Sequence, residues 1–265
     1  MAKGKKKAAY GRRRGFRLLY QMLSTVLILG AVIGGSILFF RVETIQVVGS
    51  SKYSAEQILA AAAVEENANL LLLPERAIEK RIIESFPYVD EVTVKRVFPT
   101  TVKLEIHECL PLATVQSDGA WWILDGEGKL LERTEESLAS GYIQITGLTL
   151  LEPKVGVYAQ VEETSEPMYQ SLKGVLTAVE EVGAQENANW IDVESRTEVN
   201  MGYMGRFTVR LPVSADYGDT NKSNAEYLRK IETLVGMVKK LDELGQGADR
   251  GTIDLRGQDG HFIPV

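Results

Sequence analysis

The sequence predicts an α+β protein in three parts: a single N-terminal transmembrane helix, a small βααββ domain, and a mixed β-domain with flanking helices. Three observations predict it. Residues 18–40 form an uncharged run of 23. Beyond them, apolar residues alternate with period two in some segments and recur at helical spacing in others, and the signals become strand-rich after Pro111. A single cysteine, Cys109, excludes an internal disulfide, so an ordinary hydrophobic core must hold the body, and 45% apolar residues allow one. The boundaries read 1–17 for a basic tail, 18–40 for the membrane helix, 41–110 for the small domain and 111–265 for the β-domain.

The net charge of −6 hides an asymmetry. Eight Lys or Arg residues lie between Lys3 and Arg17 with no acidic residue among them, which leaves 22 basic against 36 acidic residues in the remainder. A basic head on an acidic body points towards a membrane topology signal and away from a nucleic-acid-binding domain. A helix over Leu18–Phe40 spans roughly 34 Å at about 1.5 Å per residue, enough to cross the hydrocarbon core. The eight cations predict a cytoplasmic N-terminus and an outer C-terminal body. A cleaved signal peptide has the same charge sign, but its apolar region would be shorter, and here Gly34-Gly35-Ser36 is followed by more apolar chain. Gly30 with Gly34, and Ala31 with Gly35, are small-residue pairs of the kind that seat a partner helix.

In the small domain, Val42–Val48 alternates and ends at Gly49, a strand and a turn. Ser54 and Gln57 form a capping box for a helix from Ala55 to about Val64. Pro74 suits the first position of a second helix carrying Ile78, Ile82 and Ile83, which Phe86-Pro87 stops. Strands Tyr88–Val97 and Val102–Ile106 follow, joined at Phe98-Pro99-Thr100. Two helices on one face of a three-stranded sheet bury these faces economically.

In the larger domain, strands are predicted at Leu112–Val115, Trp121–Leu124 and Leu130–Leu131, with turns at Asp118-Gly119 and Asp125-Gly126. A helix capped by Ser165 runs from Glu166 to Val182, and strands follow at Trp190–Val193 and Phe207–Leu211. A second helix runs from about Ala225 to Leu244, with a stripe of Leu228, Ile231, Leu234, Val235, Val238 and Leu241 and Gly245 as its stop. Thr252–Leu255 and Phe262–Val265 close the chain as a hairpin around Asp259-Gly260.

The residues assemble no catalytic set. His107 and Cys109 share one face of a predicted strand, but a Cys–His nucleophile also needs a pocket and a third, orienting group. His261 is the only other histidine, too little for a zinc site. Asp216, Gly218, Asp219 and Asn221 have the residue types of a calcium loop without its closing Glu. No enzyme activity, cofactor, metal, nucleic acid or small-molecule substrate is expected.

The order of parts resembles the FtsQ/DivIB family of bacterial cell-division proteins. Val42-Glu-Thr-Ile45-Gln-Val-Val-Gly49 is similar to the opening of a POTRA domain of the FtsQ type. The likeness continues through Phe86-Pro87-Tyr88-Val89, Val94-Lys-Arg-Val-Phe-Pro99-Thr and Pro111-Leu-Ala113. Further on come Trp122-Ile-Leu-Asp125 with Gly128, Gly147-Leu148, Met204-Gly-Arg-Phe207 and Ile253-Asp254-Leu255-Arg256. It covers the chain beyond Phe40, carried by order and spacing rather than by any one motif. One departure is Cys109 after Glu108, where the family usually has Arg, so an exposed Arg contact would be missing. The short basic tail and Met204–Phe207 lean towards the DivIB type.

The resemblance implies a divisome scaffold at the septum that helps recruit or regulate septal peptidoglycan synthesis. Its implied partners are FtsB/DivIC-like and FtsL-like division proteins and septal wall synthases. The partner-binding candidates are Thr252, Asp254, Arg256, His261 and Phe262, taken as an edge that accepts a partner strand. Phe262 has a second reading, as a residue that closes the sheet core. Lys95, Arg96 and Lys103 form a small basic patch, read as solvated strand charges or as a recruitment contact. Two rival classes are weighed against the scaffold. A POTRA-type chaperone or export module would carry tandem units or a barrel, and a membrane-anchored wall enzyme would need a catalytic set.

Overall fold

The computed structural model describes residues 9–65, 67–215, 219–245 and 249–265, with side chains from residue 19 onward except 37 and 38. Lys3, Lys5, Lys6 and Lys7 of the basic tail, and Asp216 and Gly218, lie outside the described residues. The chain packs as two compact units, Met1–Ile83 with Glu91–His107, and Glu84–Asp90 with Glu108–Val265.

Helix α1 runs Ala9–Phe39, and its segment Leu19–Ser36 is long and apolar enough to cross a membrane. The smaller unit follows without a spacer. Its elements are β1 (Thr44–Val48), α2 (Ala55–Ala62), a 3-10 turn at Leu70–Leu72, α3 (Glu75–Ser85), β2 (Val89–Val97) and β3 (Thr101–Glu108). The predicted capping box forms: Gln57 N–H donates to Ser54 Oγ at 3.2 Å, and Ser54 N–H to Gln57 Oε1 at 2.9 Å. Pro74 sits one residue earlier than expected, just before α3, where its carbonyl accepts from Ile78 N–H at 3.1 Å. The sheet order is β1-β3-β2, with β1 parallel to β3. Ile58, Ala62, Ile78 and Ile82 of the helices are buried, as are Val92, Val94, Val102, Leu104 and Ile106 of the strands. Gly49 ends β1 at φ +88°, where a Cβ would lie 2.2 Å from the Ile106 carbonyl oxygen, so only glycine fits this turn.

The larger unit holds β4 (Ala113–Ser117), β5 (Ala120–Leu124), β6 (Leu130–Thr134), α4 (Glu136–Ala139), β7 (Ile143–Thr146) and α5 (Glu166–Val182). It continues with β8 (Ala188–Asp192), β9 (Glu198–Tyr203), β10 (Phe207–Pro212), α6 (Thr220–Glu243), β11 (Gly251–Asp254) and β12 (His261–Pro264). Among the described residues these strands form one sheet in the order β12-β11-β10-β9-β8-β7-β4-β5-β6. The pairs β4–β7, β7–β8 and β10–β11 are parallel. Parallel neighbours need long crossovers, and α5 and α6 supply two of them. Both helices bury their apolar stripes in the same core as the strands, with Leu172, Val175 and Leu176 from one and Tyr227, Ile231 and Leu234 from the other.

Several local expectations change. Asp118-Gly119 is the two-residue turn predicted, with φ of 51° and 72°. Asp125-Gly126 is not: the connection is longer, and Asp125 Oδ1 instead collects the N–H groups of Glu127 (3.0 Å) and Lys129 (2.8 Å). Ser165 gives no side-chain cap to α5, because a 3-10 turn at Glu163–Ser165 already carries the chain into the helix. Helix α6 starts at Thr220 rather than near Ala225, since Asp219 caps it by accepting from Lys222 N–H at 3.3 Å.

Candidate partner-docking edge

The two ends of the larger sheet are not alike. At the β6 end, a loop pairs with the strand's outer side: Leu130 N–H donates to Val157 O at 2.9 Å and Gly156 N–H to Leu130 O at 2.7 Å. At the other end, β12 pairs with β11, and among the described residues nothing pairs with its outer side.

Which groups β12 offers follows from the ladder. Gly251 N–H and Leu255 N–H donate towards β10, to Arg206 O (3.3 Å) and Arg210 O (2.8 Å), so Thr252 and Asp254 present their backbone groups to β12. Their partners there are Ile263 and His261, and Val265 N–H donates to Arg250 O at 3.0 Å. In an antiparallel pair the remaining residues point outward. Phe262 therefore offers an N–H and a C=O to an incoming strand, and Pro264 a C=O alone.

The structure places the five sequence-predicted residues around this edge but not in one role. Thr252 and Asp254 lie one strand inside it, because β12 takes the outer position. Phe262 is half-buried, its ring edge-on to Phe207 with centroids 5.9 Å apart. It closes the core with its side chain while its backbone faces outward. His261 is exposed on the opposite face together with Ile263, which is 51% exposed, and Val265. These two apolar residues were not singled out from the sequence, although an apolar residue at every second position of an edge strand was visible there. Lys230 of α6 fastens the hairpin's connection, donating from Nζ to Leu255 O at 2.6 Å and Gly257 O at 3.0 Å.

Arg256 is committed locally. It pairs with Asp254 and, at 2.8 Å, with Glu198. The Arg256 guanidinium beside Asp254 holds its carboxyl at about 2, below the ordinary range. A depressed carboxyl contributes stability that is complete above its ordinary value and is lost as pH falls towards the folded one. Replacing Arg256 by Gln is therefore expected to return the Asp254 pKa to roughly 4 in an NMR titration of its carboxyl carbon. An unchanged titration would show that Arg256 does not hold this carboxylate in solution.

The second group sits on the smaller sheet. Lys95 and Lys103 both contact Glu105, Lys103 at 2.9 Å, and together they draw its carboxyl down to about 2. Arg96 is half-buried, 2.9 Å from Glu75 and donating to Leu73 O at 3.3 Å. Lys95 and Lys103 thus share one carboxylate, and Arg96 has a carboxylate and a carbonyl beside it.

For chemistry there is little material. His107 is exposed while Cys109 is buried, because Cys109 lies past the end of β3, its N–H donating to Tyr88 O at 2.8 Å. Burial and the neighbouring Asp125 push the thiol up to about 12, the reverse of an activated nucleophile. Among the described residues no group of three or more His, Cys, Asp or Glu side chains could hold a metal ion.

Comparison with known proteins agrees with this architecture. Residues 40–108 match the family model of the POTRA domain, FtsQ-type. The cell division protein FtsQ of Geobacter sp. (strain M21) is 26% identical over 217 residues, 81% of this chain and 73% of its own length. FtsQ of Streptomyces venezuelae is 33% identical over 124 residues, 44% of this chain and 46% of its own. The cell division protein DivIB of Clostridium tetani is 18% identical over 165 residues, 62% of this chain and 61% of its own. With the POTRA-type unit following an apolar helix and a β-rich region behind it, residues 40–108 belong to the FtsQ-type POTRA family, and the chain is similar over most of its length to the cell division proteins FtsQ and DivIB.

Proposed function

We propose that this protein is a single-pass divisome scaffold that works by binding, and that β12 receives a strand from an FtsB/DivIC-type partner, beside an FtsL-type protein. The observation that supports this reading is the open β12 edge, set against the covered β6 edge of the same sheet. Main-chain bonds to Phe262 would supply register, and the exposed Ile263 and Val265 would supply apolar contact. Thr252, Asp254, Arg256 and His261 then act from behind and beside the edge, with Arg256 and Asp254 setting the shape of the turn. Lys95, Arg96 and Lys103 are the proposed recruitment contact, through which septal wall synthases would be brought in. The eight N-terminal cations orient the chain with its tail in the cytoplasm and its folded body outside. Its parts are 1–17, 18–40, 41–110 and 111–265.

Live-cell imaging of a functional fluorescent fusion tests the reading. Enrichment at the division plane is expected. Uniform membrane fluorescence would remove the septal assignment and move weight to an export role.

A further inference from the structure

We propose that the smaller unit rests directly on the bilayer, with Leu72 and Phe98 seated among the lipid headgroups. This rests on the reading of α1 as a membrane-spanning helix.

The chain leaves its uncharged run at Phe40 and enters the folded unit at once. The Phe40 carbonyl accepts Leu70 N–H at 2.8 Å, Val42 N–H donates to Ala68 O at 2.9 Å, and Arg41 bridges Asn69. Each residue of a flexible spacer could lift a domain by roughly 3.3 Å. Here the first residues past the helix are already paired, so no spacer remains.

That connection sets the depth of two apolar loops. Phe98, in the β2–β3 turn, has its ring 5.5 Å from the Phe40 ring, edge to face. Leu71 and Leu72 follow Leu70 in a 3-10 turn that rises about 2 Å per residue, so with the 2.8 Å hydrogen bond they stand at most about 7 Å from the Phe40 carbonyl along the axis of the turn. The headgroup zone is about 5–7 Å deep on each side of the hydrocarbon core. Both loops fall within it if Phe40 marks the end of the span.

Their exposure is what an aqueous surface would not favour. Leu72 is 77% exposed, Phe98 58% and Leu71 39%, and Phe39 at the helix end is 63% exposed. Large apolar residues grouped in this way mark a contact surface. Continuity with the spanning helix identifies its occupant as lipid. Arg41 is exposed between helix and domain, where a long cationic side chain can reach headgroup phosphates.

The test uses the full chain in lipid nanodiscs, with Cys109→Ser and one nitroxide at a time on Leu72→Cys, Phe98→Cys, Ile33→Cys or Leu138→Cys. Ile33 is the reference within α1, and Leu138, 64% exposed in the larger unit, is the aqueous reference. Relaxation by oxygen is compared with relaxation by a water-soluble nickel chelate. Labels at residues 72 and 98 are expected to favour oxygen several-fold over the label at 138. Chelate access equal to that at residue 138 would overturn the proposal while leaving α1 in the membrane. Exclusion of both reagents would name a protein as the occupant and overturn it too. A chelate-accessible label at residue 33 would overturn the reading of α1, and the proposal with it.

Discussion

Replacing Tyr227 by Ala is expected to destabilise the larger unit by about 4 kcal/mol, a large part of the 5–15 kcal/mol that holds a typical domain. The side chain is fully buried on α6. Its ring lies against Gly174 of α5 so closely that a Cβ at residue 174 would sit 2.5 Å from the ring. The hydroxyl donates to Pro212 O at 2.8 Å and accepts from Ser214 N–H at 3.1 Å, at the point where β10 ends. Truncation therefore opens a ring-sized cavity between the helices and strands a carbonyl at once. Tyr227→Phe separates the two effects. Ser214 N–H keeps its bond to Ser171 Oγ at 3.1 Å, so only Pro212 O loses its partner and the cost falls to about 1–2 kcal/mol. Gly174→Val attacks the same contact from the other side, by overpacking, at about 2–3 kcal/mol. The three losses should not add, because they share one interface. Urea unfolding of the full chain followed by tryptophan fluorescence measures each. A Tyr227→Ala midpoint indistinguishable from the parent would mean that the two helices do not pack in solution as described.

How much of this was legible beforehand differs between the two units. The smaller one repeats local rules almost residue by residue: the Ser54–Gln57 box, Gly49 after a short strand, and the Pro99 turn between two alternating runs. Its helices pair one face with one strand face, and its one long-range strand pairing is that of β1 with β3, 57 residues on. The larger sheet depends on distant pairings. Strand β7 is four residues, Ile143-Gln-Ile-Thr, too short to announce itself, and it becomes central only because β4 and β8 flank it in parallel. Strand β9 has no periodic signal that sets it apart, although the turn after it is sharp, with Met204 and Gly205 at φ of 55° and 67°. Buried Lys129 was invisible because its Nζ is satisfied by Val89 O, 40 residues away, at 2.6 Å. At the docking edge, residue names were readable but their roles were not. Whether Phe262 shows its backbone to solvent depends on register, and whether Thr252 is at the edge depends on which strand is last. Neither is encoded in local periodicity.

Blocking the β12 edge is expected to weaken partner binding by two orders of magnitude or more while the larger unit stays folded, the size of a loss at an interface hot spot, about 3 kcal/mol. Ile263→Lys is the cleaner of two variants. Its side chain is exposed and opposite to the core-facing ring of Phe262, so its stability cost should stay within about 0.5 kcal/mol. A lysine on an edge strand opposes strand addition and removes an apolar contact in the same stroke. Phe262→Pro deletes the outward N–H itself, which no side-chain repacking can replace, but it also withdraws the ring from Phe207. Its binding loss must therefore be read beside its unfolding midpoint. Leu138→Lys, exposed and far along the sheet order near β6, serves as the control and should bind as the parent does. Titration calorimetry of the full chain against the outer segment of an FtsB/DivIC-type partner gives the affinities. If Ile263→Lys and Phe262→Pro both bind normally while remaining folded, the open edge is not where the partner docks. If Ile263→Lys fails and Phe262→Pro binds, the contact is made by side chains on the exposed face, without an added strand. Loss in both, with the control intact, is the result that strand addition requires. It would also assign Arg256 its part: a residue that shapes the turn through Asp254 and Glu198, whose removal should weaken binding less than either edge variant.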